Sequence, residues 1–231
     1  MTADLRFLAS LGSKLSLALE EIGITATEKQ FDQLMMYINE LQKWNKTYNL
    51  TAIKDPQEML IQHVFDSLAI LPSFKRRGLI EKESQVKIID VGSGAGLPGA
   101  ILSIMWPEAR VDCVDTVQKK IAFISNIAAK LDLPNLKGIH ARIERCDQMN
   151  ADIVISRAFA SLSDFSRLAG VHVKANGHLV SMKSKQVQQD VAELQATVTD
   201  WTTEMIEPIT VPQLDAQRYL VWLIRKTENA N

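Results

Sequence analysis

Asp90 stands two residues ahead of the run Gly92-Ser93-Gly94-Ala95-Gly96-Leu97-Pro98-Gly99 and closes the apolar, β-branched stretch Val86-Lys87-Ile88-Ile89. Glycines in this pattern are a ligand-holding device. Without a Cβ the chain can turn at positive φ and bring its amides against a bound molecule. The spacing Gly94-x-Gly96-x-x-Gly99 satisfies the dinucleotide-loop pattern, and Asp115 follows at about the separation expected of an acid that accepts ribose hydroxyls.

The sign of the ligand charge separates the possibilities. A carboxylate at Asp90 would repel a pyrophosphate but attract a ligand that carries an ammonium and a sulfonium and no phosphate. S-adenosylmethionine has that charge pattern. Asp90, Gly92, Gly94 and Gly96 are then the acid and glycines that cradle it, with Asp115 on its ribose. A further contact is expected in Ala141-Arg142-Ile143-Glu144, where Ile143 and Glu144 would meet the adenine. Two alternatives remain open: a nicotinamide dinucleotide, and a structural glycine turn in which Asp90 caps the following helix.

The elements that must position these residues fall into two textures. The first eighty residues read as helical. Thr27-Glu28-Lys29-Gln30 has the form of a capping box, followed by Phe31, Leu34, Met35, Ile38, Leu41 and Trp44 at helical spacing. Asp55-Pro56-Gln57-Glu58 opens another helix through Met59, Leu60, Val64, Leu68 and Leu71, and a further one lies near 5–22. From Val86 onward, strands are expected near 86–91, 110–115, 136–140, 152–156, 177–182, 203–208 and 218–225. Helices are expected between them near 98–105, 117–131, 161–173 and 185–199. The predicted architecture is α/β, a seven-stranded doubly wound sheet with an antiparallel pair at one edge, over 81–231, with a helical extension at 1–80 packed on it.

Composition narrows the classes. A length of 231 residues suits one α/β domain with an appendage, and a formal net charge of −1 argues against a protein that coats nucleic acid indiscriminately. No stretch approaches a membrane span and the first residues lack a secretory pattern, so a cytoplasmic protein is expected. Cys113 and Cys146 read as free, buried thiols; they and the dispersed histidines make no metal-ligand spacing, and no metal is expected.

Three further stretches carry a more specific resemblance: Asn49-Leu50-Thr51-Ala52-Ile53, His63-Val64-Phe65-Asp66-Ser67-Leu68 and Ser156-Arg157-Ala158-Phe159-Ala160-Ser161-Leu162. With the glycine loop between them, the chain resembles the small-subunit ribosomal RNA methyltransferase G family from about Thr27 to Ile224. The resemblance implies a class I, S-adenosylmethionine-dependent methyltransferase acting on N7 of one guanine in 16S rRNA, within the small ribosomal subunit. It implies cofactor contacts at Gly92, Leu97, Ile143, Glu144 and Arg157. The family usually has glycine where this chain has Ser184, which would be strained there at positive φ.

Guanine N7 presents a lone pair at neutral pH, so its methylation needs no general base. Consistent with that, Ser156-Arg157-Ala158-Phe159 is not the Asn/Asp-Pro-Pro-aromatic signature of exocyclic-amine methylation. Asp66, Arg142 and Lys183 are the candidate catalytic residues, and Asn49, His63, Asp66 and Arg157 the candidate substrate contacts. Asp66 would accept from guanine N1 and N2, and Arg157 would stack on the base or donate to O6. The alternatives are a His63–Asp66 pair on one helix, an Arg142 brace on Glu144 or Asp115, and Asn49 as a turn residue. Basic clusters at Lys75-Arg76-Arg77, Lys119-Lys120, Arg142 with Arg145, and Lys183 with Lys185 are candidate RNA contacts. A methyltransferase for another RNA or a small molecule, an NAD-dependent oxidoreductase and a non-catalytic assembly factor are the rival functions.

Overall fold

The computed structural model describes residues 3–80 and 85–226. The expected boundary at 80/81 adjoins residues 81–84, which lie outside that range. The chain opens with α1 (Ala3–Ile22) and α2 (Glu28–Tyr48). The capping box at the start of α2 is formed: Thr27 Oγ1 accepts from the Gln30 amide at 3.2 Å and Gln30 Oε1 from the Thr27 amide at 2.9 Å. The helix stops at Asn49, left-handed at φ 48°, whose N–H returns to the Asn45 carbonyl at 3.1 Å.

The single helix expected from Pro56 to Leu71 is instead assembled from pieces. Asp55 caps α3 (Pro56–Met59), a π-helical segment follows over Leu60–Phe65, α4 (Asp66–Leu68) continues it, and α5 (Leu71–Arg76) starts after a break. Apolar spacing cannot separate these forms, because every piece buries the same kind of face.

Seven strands then form one sheet in the order β3-β2-β1-β4-β5-β7-β6. They are β1 (Lys87–Val91), β2 (Arg110–Asp115), β3 (Leu136–His140), β4 (Ala151–Ser156), β5 (Val173–Lys183), β6 (Trp201–Ile209) and β7 (Arg218–Arg225). The first five run parallel. β7 runs antiparallel to both β5 and β6, so the edge strand β6 is antiparallel to its one neighbour. The expected strand at 177–182 begins earlier, at Val173, across a register shift between Ala151 and Ile153 of β4. Lys174, Ala175 and Asn176 are exposed there, so that half of the strand carries no apolar alternation to read.

Successive residues of β1 serve opposite faces of the sheet. Ile88 packs into the cluster that contains Leu34, Tyr37 and Leu41 of α2, with α6 (Gly99–Met105) and α7 (Gln118–Lys130). Ile89 and Val91 pack into the other cluster, under α8 (Leu162–Ala169) and α9 (Val187–Thr197). Directional bonds fix α2 on the first face. Gln33 Nε2 donates to the Leu131 carbonyl at 2.6 Å, Lys130 pairs with Glu40 at 2.8 Å, and the Tyr37 hydroxyl donates to the Ala95 carbonyl of the glycine loop at 2.8 Å.

Tyr37 is fully buried, and burial pushes its phenol above the ordinary range. Tyr37→Phe leaves the Ala95 carbonyl without that donor and is expected to lower the unfolding free energy by about 1–2 kcal/mol, read from urea denaturation curves.

Candidate functional site

Because the first five strands are parallel, their carboxyl ends share one edge of the sheet, and β7, running the other way, brings its first residue to the same edge. Two of the concavities along it hold expected site residues.

The first is a cleft of about 380 Å³ at the ends of β1, β2 and β3. Gly92, Asp115, Ala141, Arg142, Ile143, Glu144, Ala158 and Phe159 are among its walls. Gly92, Gly94 and Gly96 all have positive φ, at 68°, 58° and 80°. A Cβ at Gly92 would stand 2.7 Å from the Ala158 Cβ, so glycine is needed there for conformation and for space. The Gly94 amide donates to Asp115 Oδ2 and the Val117 amide to Asp115 Oδ1, both at 2.9 Å, which holds the carboxylate at the cleft floor with acceptor capacity left. Gly96 and Leu97 turn inward, against Ala100 and Ile124 and into the core, so they shape the loop rather than line the cleft.

Asp90 is completely buried beneath this loop. Its Oδ2 accepts from the Gly99 amide at 2.8 Å, at the first residue of α6, while Oδ1 has no partner. A Cβ at Gly99 would collide with Cys113 Sγ and reach to within 2.9 Å of Asp90 Oδ2, so only glycine admits this approach. The helix-cap alternative for Asp90 therefore describes one of its oxygens, and the other remains unsatisfied. Burial pushes the carboxyl up to about 7, against the opposing effects of the Gly99 amide and the Arg157 guanidinium and with a further rise from Asp115.

The second concavity, about 270 Å³, is lined by Ile53, Gln62, His63, Asp66, Arg157, Met182, Lys183, Ser184 and Arg218. At its centre Asp66, 3% exposed, is held between two arginines. Arg218 Nε donates to Oδ1 at 2.8 Å and an Arg157 terminal nitrogen donates to Oδ2 at 3.2 Å. The π-helical segment makes this possible by bringing Gln62, whose carbonyl also accepts from Arg157 at 3.2 Å, onto the pocket wall with His63 and Asp66. His63 bonds Thr51 Oγ1 through Nε2 at 2.9 Å, and no His63–Asp66 hydrogen bond forms. Burial, and then Arg157, lower its imidazole to about 4, so it is neutral at physiological pH.

The family described as GidB, rRNA small subunit methyltransferase G, matches residues 30–221. The chain belongs to that family. A relative from Bordetella pertussis named "Ribosomal RNA small subunit methyltransferase G" is 49% identical over 218 residues, 94% of each chain. One from Bordetella avium with the same name is 48% identical over 212 residues, 92% of each chain. In fold, the structure is similar to an S-adenosylmethionine-dependent methyltransferase from Aquifex aeolicus, with a TM-score of 0.56 and 14% identity, covering 76% of this chain and 96% of that one.

Within this rRNA methyltransferase G chain, several expected site residues lie elsewhere than the sequence places them. Arg157 faces the second pocket rather than the cleft, although its neighbour Ala158 lines the cleft. Asp66 cannot offer two free oxygens to a base edge, since each already accepts from an arginine. Lys183 spends its ammonium on the Phe159 and Ala160 carbonyls, at 3.1 and 2.7 Å, and on Asp190 at 2.8 Å. That makes it a tie for the loop after β4 rather than a group free to act on substrate. Asn49 caps α2 and lies outside both pockets; its motif reaches the second one through Thr51 and Ile53. Arg142 is largely exposed, 3.7 Å from Glu144, as the brace alternative expects. Ser184 is not at positive φ; the left-handed residue of that loop is Gln186, at φ 56°. Arg77 pairs with Glu204 at 2.9 Å and Arg76 with Glu207, so two of the three residues of Lys75-Arg76-Arg77 are neutralised on β6. Cys146 is only partly buried.

Arg218, Thr51 and Gln62 escape the sequence reading. Arg218 opens a strand far along the chain from Asp66, and only the antiparallel return of β7 brings the two together.

The raised Asp90 carboxyl has a sign that can be checked. Its folded value, about 7, exceeds the ordinary 3.8, so the native state retains a proton that the unfolded chain releases. Stability contributed at Asp90 is full below about pH 4 and is lost as pH rises toward 7. Asp90→Asn keeps an oxygen for the Gly99 amide and removes the titration. The melting temperature of the variant relative to the parent, without ligand, is expected to climb between pH 4 and 8; a constant difference would count against the assignment.

Proposed function

We propose that this chain transfers the methyl group of S-adenosylmethionine to N7 of one guanine in 16S rRNA. The observation that carries this reading is the adjacency of the two pockets across the segment after β4, with Arg157 on one side and Ala158 and Phe159 on the other. The family supplies the substrate class.

The cleft fits the cofactor on its own terms. It has room for close backbone approach at Gly92, an acid at Asp115, and an orphaned buried oxygen at Asp90 beneath the loop. Ile143 and Glu144 would take the adenine, and the lone pairs that Asp115 retains would take the ribose hydroxyls. When bound, the cofactor supplies an electrophilic methyl group on a positively charged sulfur.

The second pocket is the guanine site in this reading. Asp66 fixes the planes of Arg157 and Arg218, whose remaining N–H groups can donate to O6 and leave N7 unprotonated and unblocked. N7 attack places positive charge on the purine. Neutral His63 adds no charge to oppose it, and Asp66 cancels one of the two guanidiniums. No residue has to remove a proton, so what the protein contributes is mainly alignment, which can recover as much as ~7–11 kcal/mol of barrier. Lys183 holds the dividing loop through its carbonyls. Arg142, exposed at the rim, is placed to meet a backbone phosphate. Such a substrate implies the small ribosomal subunit, assembled or assembling, in the cytoplasm. Among the described residues no helix is long and apolar enough to cross a membrane.

Incubation with methyl-labelled cofactor and either intact small subunits, naked 16S rRNA or metabolite extracts tests the reading. Label is expected at one guanine, cleavable by the strand scission specific to 7-methylguanine; label only in small molecules would overturn it. Asp66→Ala frees both arginines and is expected to lower kcat by about 100-fold while S-adenosylhomocysteine binding, measured by calorimetry, is retained.

A further inference from the structure

His172 lines neither pocket, yet it is completely buried, and a histidine without solvent needs a partner for its ring N–H. That partner lies in the wall of the cofactor cleft. His172 Nε2 donates to the Ile143 carbonyl at 3.0 Å, and Ile143 stands in the cleft wall beside Glu144. Burial lowers the imidazole pKa, so the ring is neutral at physiological pH and its proton sits on Nε2, facing the carbonyl.

Both ends of this bond are anchored. His172 closes the 3-10 turn Gly170–His172 between α8 and β5. Arg225 of β7 donates to the Gly170 carbonyl at 2.7 Å, and its guanidinium lies 4.8 Å from the Trp201 ring of β6. A Cβ at Gly170 would stand 2.7 Å from Trp201 Nε1, so the turn rests directly on the edge strand. At the other end Ile143 opens the 3-10 turn Ile143–Arg145, and its carbonyl accepts a second bond, from the Cys146 amide at 3.1 Å. Two donors occupy both lone pairs of this carbonyl and fix the plane of the Ile143–Glu144 peptide. The peptide is trans, so the Glu144 N–H points opposite to the carbonyl that His172 holds.

Apolar packing of Ile143 in the cluster of Leu162, Phe165 and Ala169 holds its side chain but sets no direction for the peptide plane. A buried hydrogen bond does. We propose that His172 is a positioning residue for cofactor recognition: through the Ile143 carbonyl it orients the Ile143–Glu144 peptide so that the Glu144 N–H can donate to adenine N1. This rests on the placement of the adenine at Ile143 and Glu144 in the reading above and adds to it the group behind the wall that sets the wall's orientation. A base edge is read by the match of donors to acceptors, so a peptide turned out of plane loses that match even where the cleft keeps its shape.

Calorimetry with S-adenosylhomocysteine and S-inosylhomocysteine separates this role from a structural one. The second ligand differs only in its base, where N1 carries a proton and cannot accept. The parent is expected to favour the adenosyl ligand by about tenfold, and His172→Leu to weaken that ligand by about the same factor while leaving the inosyl ligand unchanged. His172→Gln, whose side-chain N–H can reach the same carbonyl, should restore the parent affinity. In methylation of small subunits, His172→Leu should raise KM for S-adenosylmethionine about tenfold, with kcat at saturating cofactor and KM for subunits unchanged. Should His172→Leu melt below the assay temperature, His172→Met fills the space of the ring without a donor and carries the same expectation. Equal weakening of both ligands, absence of rescue by His172→Gln, or unchanged affinity in the folded variants overturns the proposal. A parent that binds S-adenosylhomocysteine with no preference over the inosyl ligand overturns the adenine placement itself. A parent that binds neither overturns the cofactor reading, a result independent of any His172 variant.

Discussion

The arrangement of this edge of the sheet depends on one buried carboxylate. Asp66 comes from the helical front of the chain, Arg157 from the end of β4 and Arg218 from the start of β7, and the three meet at 3.2 and 2.8 Å. A carboxylate almost without solvent would be costly to leave unpaired, so the helices cannot settle at another angle without stranding it. The apolar cluster under α2 supplies attraction without direction, whereas the two guanidiniums donate to the carboxylate in one geometry only. The front helices and the sheet thus form a single site, with the cofactor cleft and the second pocket on either side of the segment that Arg157 begins.

Close backbone approach sets the geometry on the other side of that segment. At Gly92 a side chain would strike Ala158, and at Gly99 it would strike Cys113 and Asp90. The loop therefore lies flat on the strand ends, its amides directed at Asp90 and Asp115, with Lys120 standing 3.7 Å from Asp115.

Much of this was legible in the residues. Periodicity and β-branched runs located the strands best where they are buried on both faces, as in β1, β2 and β4, and the glycine spacing located the cleft because φ at Gly92 and its clearance from Ala158 favour no other residue type. What could not be read were pairings that depend on the path of the chain between elements. Asp66 was recognisable as important but not as already saturated, since nothing near it in sequence announces Arg218. Lys183 looked like a free cation because Asp190 and the Phe159 and Ala160 carbonyls approach it only after α9 and the loop have folded. Asn49 drew attention for its motif, yet its left-handed cap serves mainly to turn the chain toward Thr51 and His63.

The π-helical segment at Leu60–Phe65 places Gln62, His63 and the following Asp66 on one wall. Such a segment is an α-helix that has accepted an additional residue, and each residue in a regular helix advances about 100° around its axis. Contraction of this stretch by one residue would restore a uniform helix and swing Asp66 away from both arginines, while leaving every apolar side chain of the core in the chain. The register of the second pocket therefore hangs on a local widening of the helix that hydropathy does not detect.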